Sequence, residues 1–280
     1  MKSASVLAKG VFIFGGVILA AYFGLSVCLR LWQTRLIFFP TATLAATPTD
    51  VGLKYEEVRL PMSVGEVHGW WIPAQGEHVL LYFHGNASNI GDLVYRAARF
   101  QQMGLSVLLI DYRGYGYSTG SFPSEASAYE DAEAAWQYLT QTRQISPQNI
   151  FLFGQSLGGA IAIDLAIRQP HSAGVIVEST FTSIRAMVDH VGTYQLLPID
   201  WILTQRFDSL AKIRTLQMPF LFIHGSSDRT VPPRMSQELY AATNGPKQLL
   251  LIPEAGHNDV AIVEESKYYQ AIQEFVQKYQ

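Results

Sequence analysis

Cysteine is almost absent from this chain. Cys28 is the only one in 280 residues, so no internal disulfide can form, and no Cys/His cluster has the spacing of a structural zinc site. Charge is also sparse. Lys, Arg, Asp and Glu make up 15% of the residues and the formal net charge is -3, with no run of Lys or Arg that would track a phosphate backbone. Nucleic acid is therefore an unsuitable partner. Repeats and low-complexity tracts are missing too. Nothing in the composition calls for a metal or an organic cofactor.

One long apolar run is present, at the N-terminal end. Val11 to Leu29 carries no charge and would be roughly 28 Å long as a helix, close to the thickness of a bilayer's hydrocarbon core. Lys2 and Lys9 precede it; Arg30, Trp32 and Arg35 follow. A cleaved signal peptide is the alternative, but the run is long for one and no Ala-x-Ala site follows directly. The expected organisation is a single-pass membrane anchor over 1–30, a linker over 31–50 and a catalytic domain over 51–280. Two lysines and the amino terminus against two arginines tilt slightly toward a cytoplasmic N-terminus, which leaves the domain non-cytoplasmic. Cys28 reads as a small apolar residue in the span rather than a lipidation site.

From Val51 the chain alternates between strands and helices. Strands are expected at Tyr55–Leu60, Glu66–Ile72, His78–Phe83, Ser106–Tyr112, Ile150–Phe153, Val175–Val177, Pro219–Ile223 and Gln248–Ile252. Helices are expected around Asp92–Met103, Ser124–Thr140, after Ala160, around Pro233–Ala242 and around Asp259–Tyr279. Such alternation predicts an α/β fold with a mostly parallel sheet covered by helices on both faces. Thr182–Met218 breaks the rhythm and is expected to form a short lid. Its apolar residues, among them Met187, Tyr194, Leu197, Trp201 and Phe207, suit either an acyl-chain site or simple packing on the domain. If they bind acyl chains, removing the apolar character of Trp201 and Leu197 should hurt long-chain esters more than short ones.

The chemistry concentrates at Gly154-Gln-Ser-Leu-Gly. A buried apolar strand precedes it and a helix follows, the setting in which a sharp turn exposes one serine while small neighbours avoid clashes. The plainer alternative is a Gly-rich turn with an incidental serine. Ser156 is the expected nucleophile, and the Leu157 N–H at the helix start is an expected oxyanion donor. His84-Gly-Asn-Ala follows another apolar strand, and Asn86 is the expected second donor through its backbone N–H. His84 precedes the serine and is expected to pack rather than act as a base. Asp228 and His257 lie on loops after two further strands. A serine hydroxyl needs a base to take its proton, which a neutral His257 can do, and Asp228 can orient that imidazole. Glu178, at the end of its strand, is a lesser alternative for the acid. Asp259 is expected to cap the last helix, and His171 and His190 to lie on the surface or the lid.

Several motifs together resemble the α/β-hydrolase superfamily: Phe38-Phe-Pro, Tyr82-Phe-His-Gly-Asn-Ala, Asp111-Tyr-Arg-Gly-Tyr-Gly-Tyr-Ser, Gly154-Gln-Ser-Leu-Gly-Gly, His224-Gly-Ser-Ser-Asp and Gly256-His-Asn-Asp. More narrowly, the chain resembles membrane-anchored α/β-hydrolase-domain proteins related to serine aminopeptidase-like and lysophospholipase-like enzymes, from about Leu36 onward. The resemblance implies an α/β-hydrolase fold, a Ser156–Asp228–His257 triad and an oxyanion hole from Asn86 and Leu157. It also implies a structural role for the loop around Arg113. Serine at position 156, where an aspartate would stand in a dehalogenase or epoxide hydrolase, argues against both. The expected activity is cleavage of carboxylic esters or thioesters, lipid acyl groups among the candidates, through an acyl-enzyme. Amide or peptide cleavage at the same site, and an inactive membrane-tethered scaffold, are the alternatives.

Overall fold

The computed structural model describes residues 2–279, with side chains of the first helix described from Phe12 onward. Lys2 and Lys9, on which the charge argument for orientation rests, lie outside the described side chains.

Eight strands form one sheet in the order β1-β2-β4-β3-β5-β6-β7-β8. They are β1 (Glu56–Pro61), β2 (Glu66–Ile72), β3 (Val79–Phe83), β4 (Ser106–Ile110), β5 (Ile150–Gln155), β6 (Gly174–Glu178), β7 (Phe220–Gly225) and β8 (Lys247–Ile252). β1 pairs antiparallel with β2, and β2 with β4; the other pairings are parallel. The strand β4 stops at Ile110, earlier than expected; the Asp111 N–H still bonds the His68 carbonyl of β2 at 2.9 Å, while the Tyr112 hydroxyl donates to the His84 carbonyl beside the site.

The middle strands are apolar at consecutive positions because both faces are covered. In β3, Leu81 and Phe83 enter one core while Leu80 and Tyr82 enter the other. Strand β5 divides likewise: Ile150 and Leu152 on the first side, Phe151 and Phe153 on the second. The first core is covered by α3 (Glu125–Gln137), α4 (Leu157–Arg168) and α8 (Pro233–Ala242); the second by α2 (Val94–Gln102), α9 (Val260–Val263) and α10 (Glu265–Lys278). The expected terminal helix is thus two, broken at Glu264, whose ψ of 57° is not helical.

The N-terminal helix α1 runs from Lys2 to Ile37, and its Phe12–Ile37 portion has the length and hydropathy to cross a membrane. It continues past residue 30, where the anchor was expected to end. Pro40 disfavours helix at the residue before it, and Phe38 instead buries itself 5.9 Å from the Phe207 ring. The segment expected to form a lid carries α5 (Ile184–Val191), α6 (Ile199–Ile202) and α7 (Ser209–Ile213), and α6 packs against α1.

Candidate active site

Ser156 sits between β5 and α4 with φ 51° and ψ −113°, a conformation that L-residues rarely adopt. The turn survives because Gly154 and Gly158, two residues to either side, lack side chains. A Cβ on Gly154 would lie 2.2 Å from the Gly158 carbonyl oxygen, and one on Gly158 would lie 2.1 Å from that of Phe83. The Ser156 N–H is tied to the Glu178 carbonyl at 2.8 Å and its own carbonyl accepts the Thr180 hydroxyl at 2.7 Å. The side chain is left at the C-terminal edge of the sheet, where ligands bind in open α/β sheets.

Asp228 and His257 reach the same point from the loops after β7 and β8. Ser156 Oγ donates to His257 Nε2 at 3.1 Å, and His257 Nδ1 donates to Asp228 Oδ2 at 2.7 Å. This polarity follows from Asp228, an ionised carboxylate that can only accept. Burial works against the charged form of Asp228, but His224, His257 and the Val231 backbone together hold it well below the usual carboxylate range. Oδ1 accepts the N–H groups of Thr230 and Val231 at 2.8 and 2.9 Å. Nothing in the sequence points to a role for His224. It is fully buried, with Nδ1 on Ser236 Oγ at 2.6 Å and Nε2 shared between the Val231 carbonyl and Asp228.

Asn86 and Leu157 both line the cavity in front of Ser156. Leu157 is the first residue of α4, so its N–H has no partner within the helix and lies at the positive end of the helix dipole. The Asn86 side chain fixes its loop. Oδ1 accepts from Phe39 N and Tyr115 OH, and Nδ2 donates to the Ile37 carbonyl. One asparagine thereby joins the segment after α1 to the loop after β3, a role its backbone assignment did not foresee.

Other titratable groups are occupied elsewhere. The Glu178 carboxylate is held by Arg96 at 2.8 and 2.9 Å and by the Tyr268 hydroxyl at 2.6 Å, not by His257. Arg96 itself lines the cavity, which sequence spacing gave no means of seeing. His84 is buried between Tyr112 and Tyr115, and burial depresses its pKa. Arg113 is bound to Asp131, Glu130 and the Ser127 carbonyl. Asp259 makes no side-chain cap; its carboxylate accepts the Gly256 N–H at 2.6 Å and so braces the His257 loop. His171 and His190 are exposed.

The cavity has a volume of about 840 Å³. One wall is the lid, through Ile184, Met187, Val188, Ile199, Ile202 and Leu203; another is α1 and its continuation, through Leu29, Gln33, Leu36, Ile37 and Phe39. Trp201 is not in the wall: it faces α1, 6.3 Å from the Phe23 ring.

Strand order, the serine turn and the order of the loops carrying Ser156, Asp228 and His257 define an α/β-hydrolase. Relatives agree, and the chain belongs to the α/β-hydrolase family. A family model described as "Serine aminopeptidase, S33" matches residues 74–212. The α/β-hydrolase domain-containing protein WAV2 of Arabidopsis thaliana is 30% identical over 95% of this chain and 93% of its own length. Protein bem46 of Schizosaccharomyces pombe is 34% identical over 82% of this chain and 79% of its own. An esterase from Pyrococcus furiosus, at 20% identity, superposes with a TM-score of 0.73 over 87% of this chain and 97% of that one, a likeness of fold. Membership of this family supports a hydrolase.

Proposed function

We propose that the protein is a membrane-anchored serine hydrolase that cleaves carboxylic esters or thioesters, lipid acyl groups among them, through an acyl-enzyme. The observation that carries this reading is the hydrogen-bonded chain from Ser156 through His257 to Asp228, at the floor of a largely apolar cavity. In the proposed reaction Ser156 Oγ attacks the acyl carbon as its proton passes to His257 Nε2. The N–H groups of Leu157 and Asn86 receive the negative charge that develops on the carbonyl oxygen. Collapse expels the alcohol or thiol, which takes the proton from His257. Water, deprotonated by His257, then releases the acid and restores Ser156. Asp228 stays ionised, fixes the Nδ1–H tautomer and stabilises the imidazolium. The cycle consumes only water and substrate and uses no cofactor.

In this reading α1 is retained as a single-pass anchor and the lid shields the acyl-enzyme from bulk water. Labelling with a fluorophosphonate probe tests the centre of the proposal. Wild type should label and Ser156→Ala should not; equal labelling of both, or none of the folded wild type, overturns it. The second result would favour a tethered scaffold. The match to a serine aminopeptidase family favours a second reading, amide cleavage at the same site. A panel pairing each acyl ester with its amide separates the two.

A further inference from the structure

The tip of the lid exposes apolar side chains together. Leu196 is 90% exposed and Val191 60%, with Tyr194 and Trp201 partly exposed beside them. Contiguous apolar surface of this kind marks a contact face, and its position says what it contacts. The Tyr22 hydroxyl donates to the Leu196 carbonyl at 2.9 Å. Trp201 packs on Phe23, and the Arg30 guanidinium lies 5.0 Å from the centre of the Trp201 ring while donating to the Trp201 carbonyl. Tyr22 lies about two helical turns, roughly 12 Å, further into the apolar run than Arg30. The medium that surrounds α1 at Tyr22 therefore also surrounds Leu196.

We propose that the lid tip, from Val191 to Trp201, is a second membrane-seated element, with Leu196 in the hydrocarbon of the leaflet that holds the Arg30 end of α1. The inference rests on reading α1 as a membrane span, and its occupant is the acyl region of a phospholipid bilayer. Trp201 and Arg30 mark the boundary, where aromatic and cationic side chains collect. Leu196 lies beyond it. In hydrocarbon a backbone carbonyl has no water to accept from, and the Tyr22 hydroxyl supplies the missing donor. Near the tip, Arg185 pairs with both Asp189 and Asp200, and Asp200, next to Trp201, sits at the boundary, where headgroups and water reach a charged side chain. Leu29 of α1, next to Arg30, and Val191 and Tyr194 of the lid tip also line the cavity, so its wall reaches the membrane boundary. An acyl chain can pass laterally to Ser156 without crossing water.

The experiment uses the full chain in phosphatidylcholine vesicles, with Cys28→Ala and one new cysteine carrying an environment-sensitive fluorophore. The positions are Val17→Cys within α1, Leu196→Cys at the lid tip, and Gln277→Cys beside Gly76 and Glu77 at the opposite edge of the sheet. Gln195→Cys provides a second tip position, and a cooperative thermal melt confirms that each variant folds. Nitroxides on the lipid acyl chain should quench the Val17 and Leu196 probes several-fold more than aqueous iodide does, with the reverse at Gln277. Lipid quenching at Val17 with iodide quenching at Leu196 and Gln195 overturns the lid proposal and leaves the anchor standing. Iodide quenching at Val17 as well removes the anchor reading and this inference with it.

Discussion

Gln33 of α1 accepts the backbone N–H of Thr204, in the lid, at 2.8 Å. The same Gln33 oxygen takes the Gln205 N–H at 3.0 Å, and its amide nitrogen donates to the Ile202 carbonyl at 3.0 Å. Gln33 is 4% exposed. A single side chain thus satisfies three backbone groups of the segment that closes the cavity, and the N-terminal helix and the lid are one structural unit.

Gln33→Ala leaves those groups without a partner. The Ile202 carbonyl is buried and its loss costs about 1–3 kcal/mol, with less from the part-buried Thr204 and Gln205 N–H groups; a domain of this size loses about 2–4 °C of melting temperature per kcal/mol. The variant should melt several degrees lower in differential scanning fluorimetry. An unchanged melt would mean that the lid does not depend on this contact.

Gly158→Ala should be more damaging than its size suggests. The added methyl meets the carbonyl oxygens of Phe83 at 2.1 Å and His84 at 2.7 Å, and both belong to backbone that cannot rotate away. Overpacking of this kind costs about 1–3 kcal/mol or more. The expected result is a lower melting temperature with loss of Ser156 labelling. A melt equal to wild type would show that the β5–α4 turn can relax.

The depressed Asp228 pKa has a defined sign in pH. Its folded value lies below the unfolded one, so the stabilisation it provides is complete above the ordinary carboxylate value of about 3.9 and is lost as pH falls toward the folded value. The stability difference between wild type and Asp228→Asn should stay constant from pH 8 to about pH 4 and shrink below that. Chemical denaturation across this range measures it. Turnover of the same variant should fall by about 10⁴-fold, as expected when the histidine loses its tautomer.

Chain-length preference should follow the wall residues and not Trp201. Met187 and Ile202 line the cavity, whereas Trp201 packs on α1. Met187→Ser should raise KM for long-chain esters more than for short ones, since each buried methylene contributes about 0.8 kcal/mol. Equal changes for an acetate and a decanoate ester would show that the acyl chain lies elsewhere.

Much of this architecture was written in local patterns. Ile150–Phe153 and Val79–Phe83 are short, continuous and apolar because parallel strands bury both faces. Gly154 and Gly158 betray the turn because nothing larger fits there. The Ser156–Asp228–His257 order could be read because each residue follows its own buried strand, so all three fall on one edge of the sheet.

Other features depend on atoms brought together over long separations. Glu178 follows its strand as a candidate acid should, yet Arg96 and Tyr268, distant in sequence, claim its carboxylate. His224 is only four residues from Asp228, but the Ser236 hydroxyl of α8 is what fixes its ring. Residues 31–37 read as the start of a linker, but packing against the lid carries the helix through Ile37. The order of residues along the chain by itself determined an apolar N-terminal helix and an α/β domain with a serine turn, because periodicity and steric exclusion act between near neighbours. Tertiary structure alone decided that α1 and the lid share one wall of the cavity, because that contact depends on where Gln33 and Thr204 meet in space.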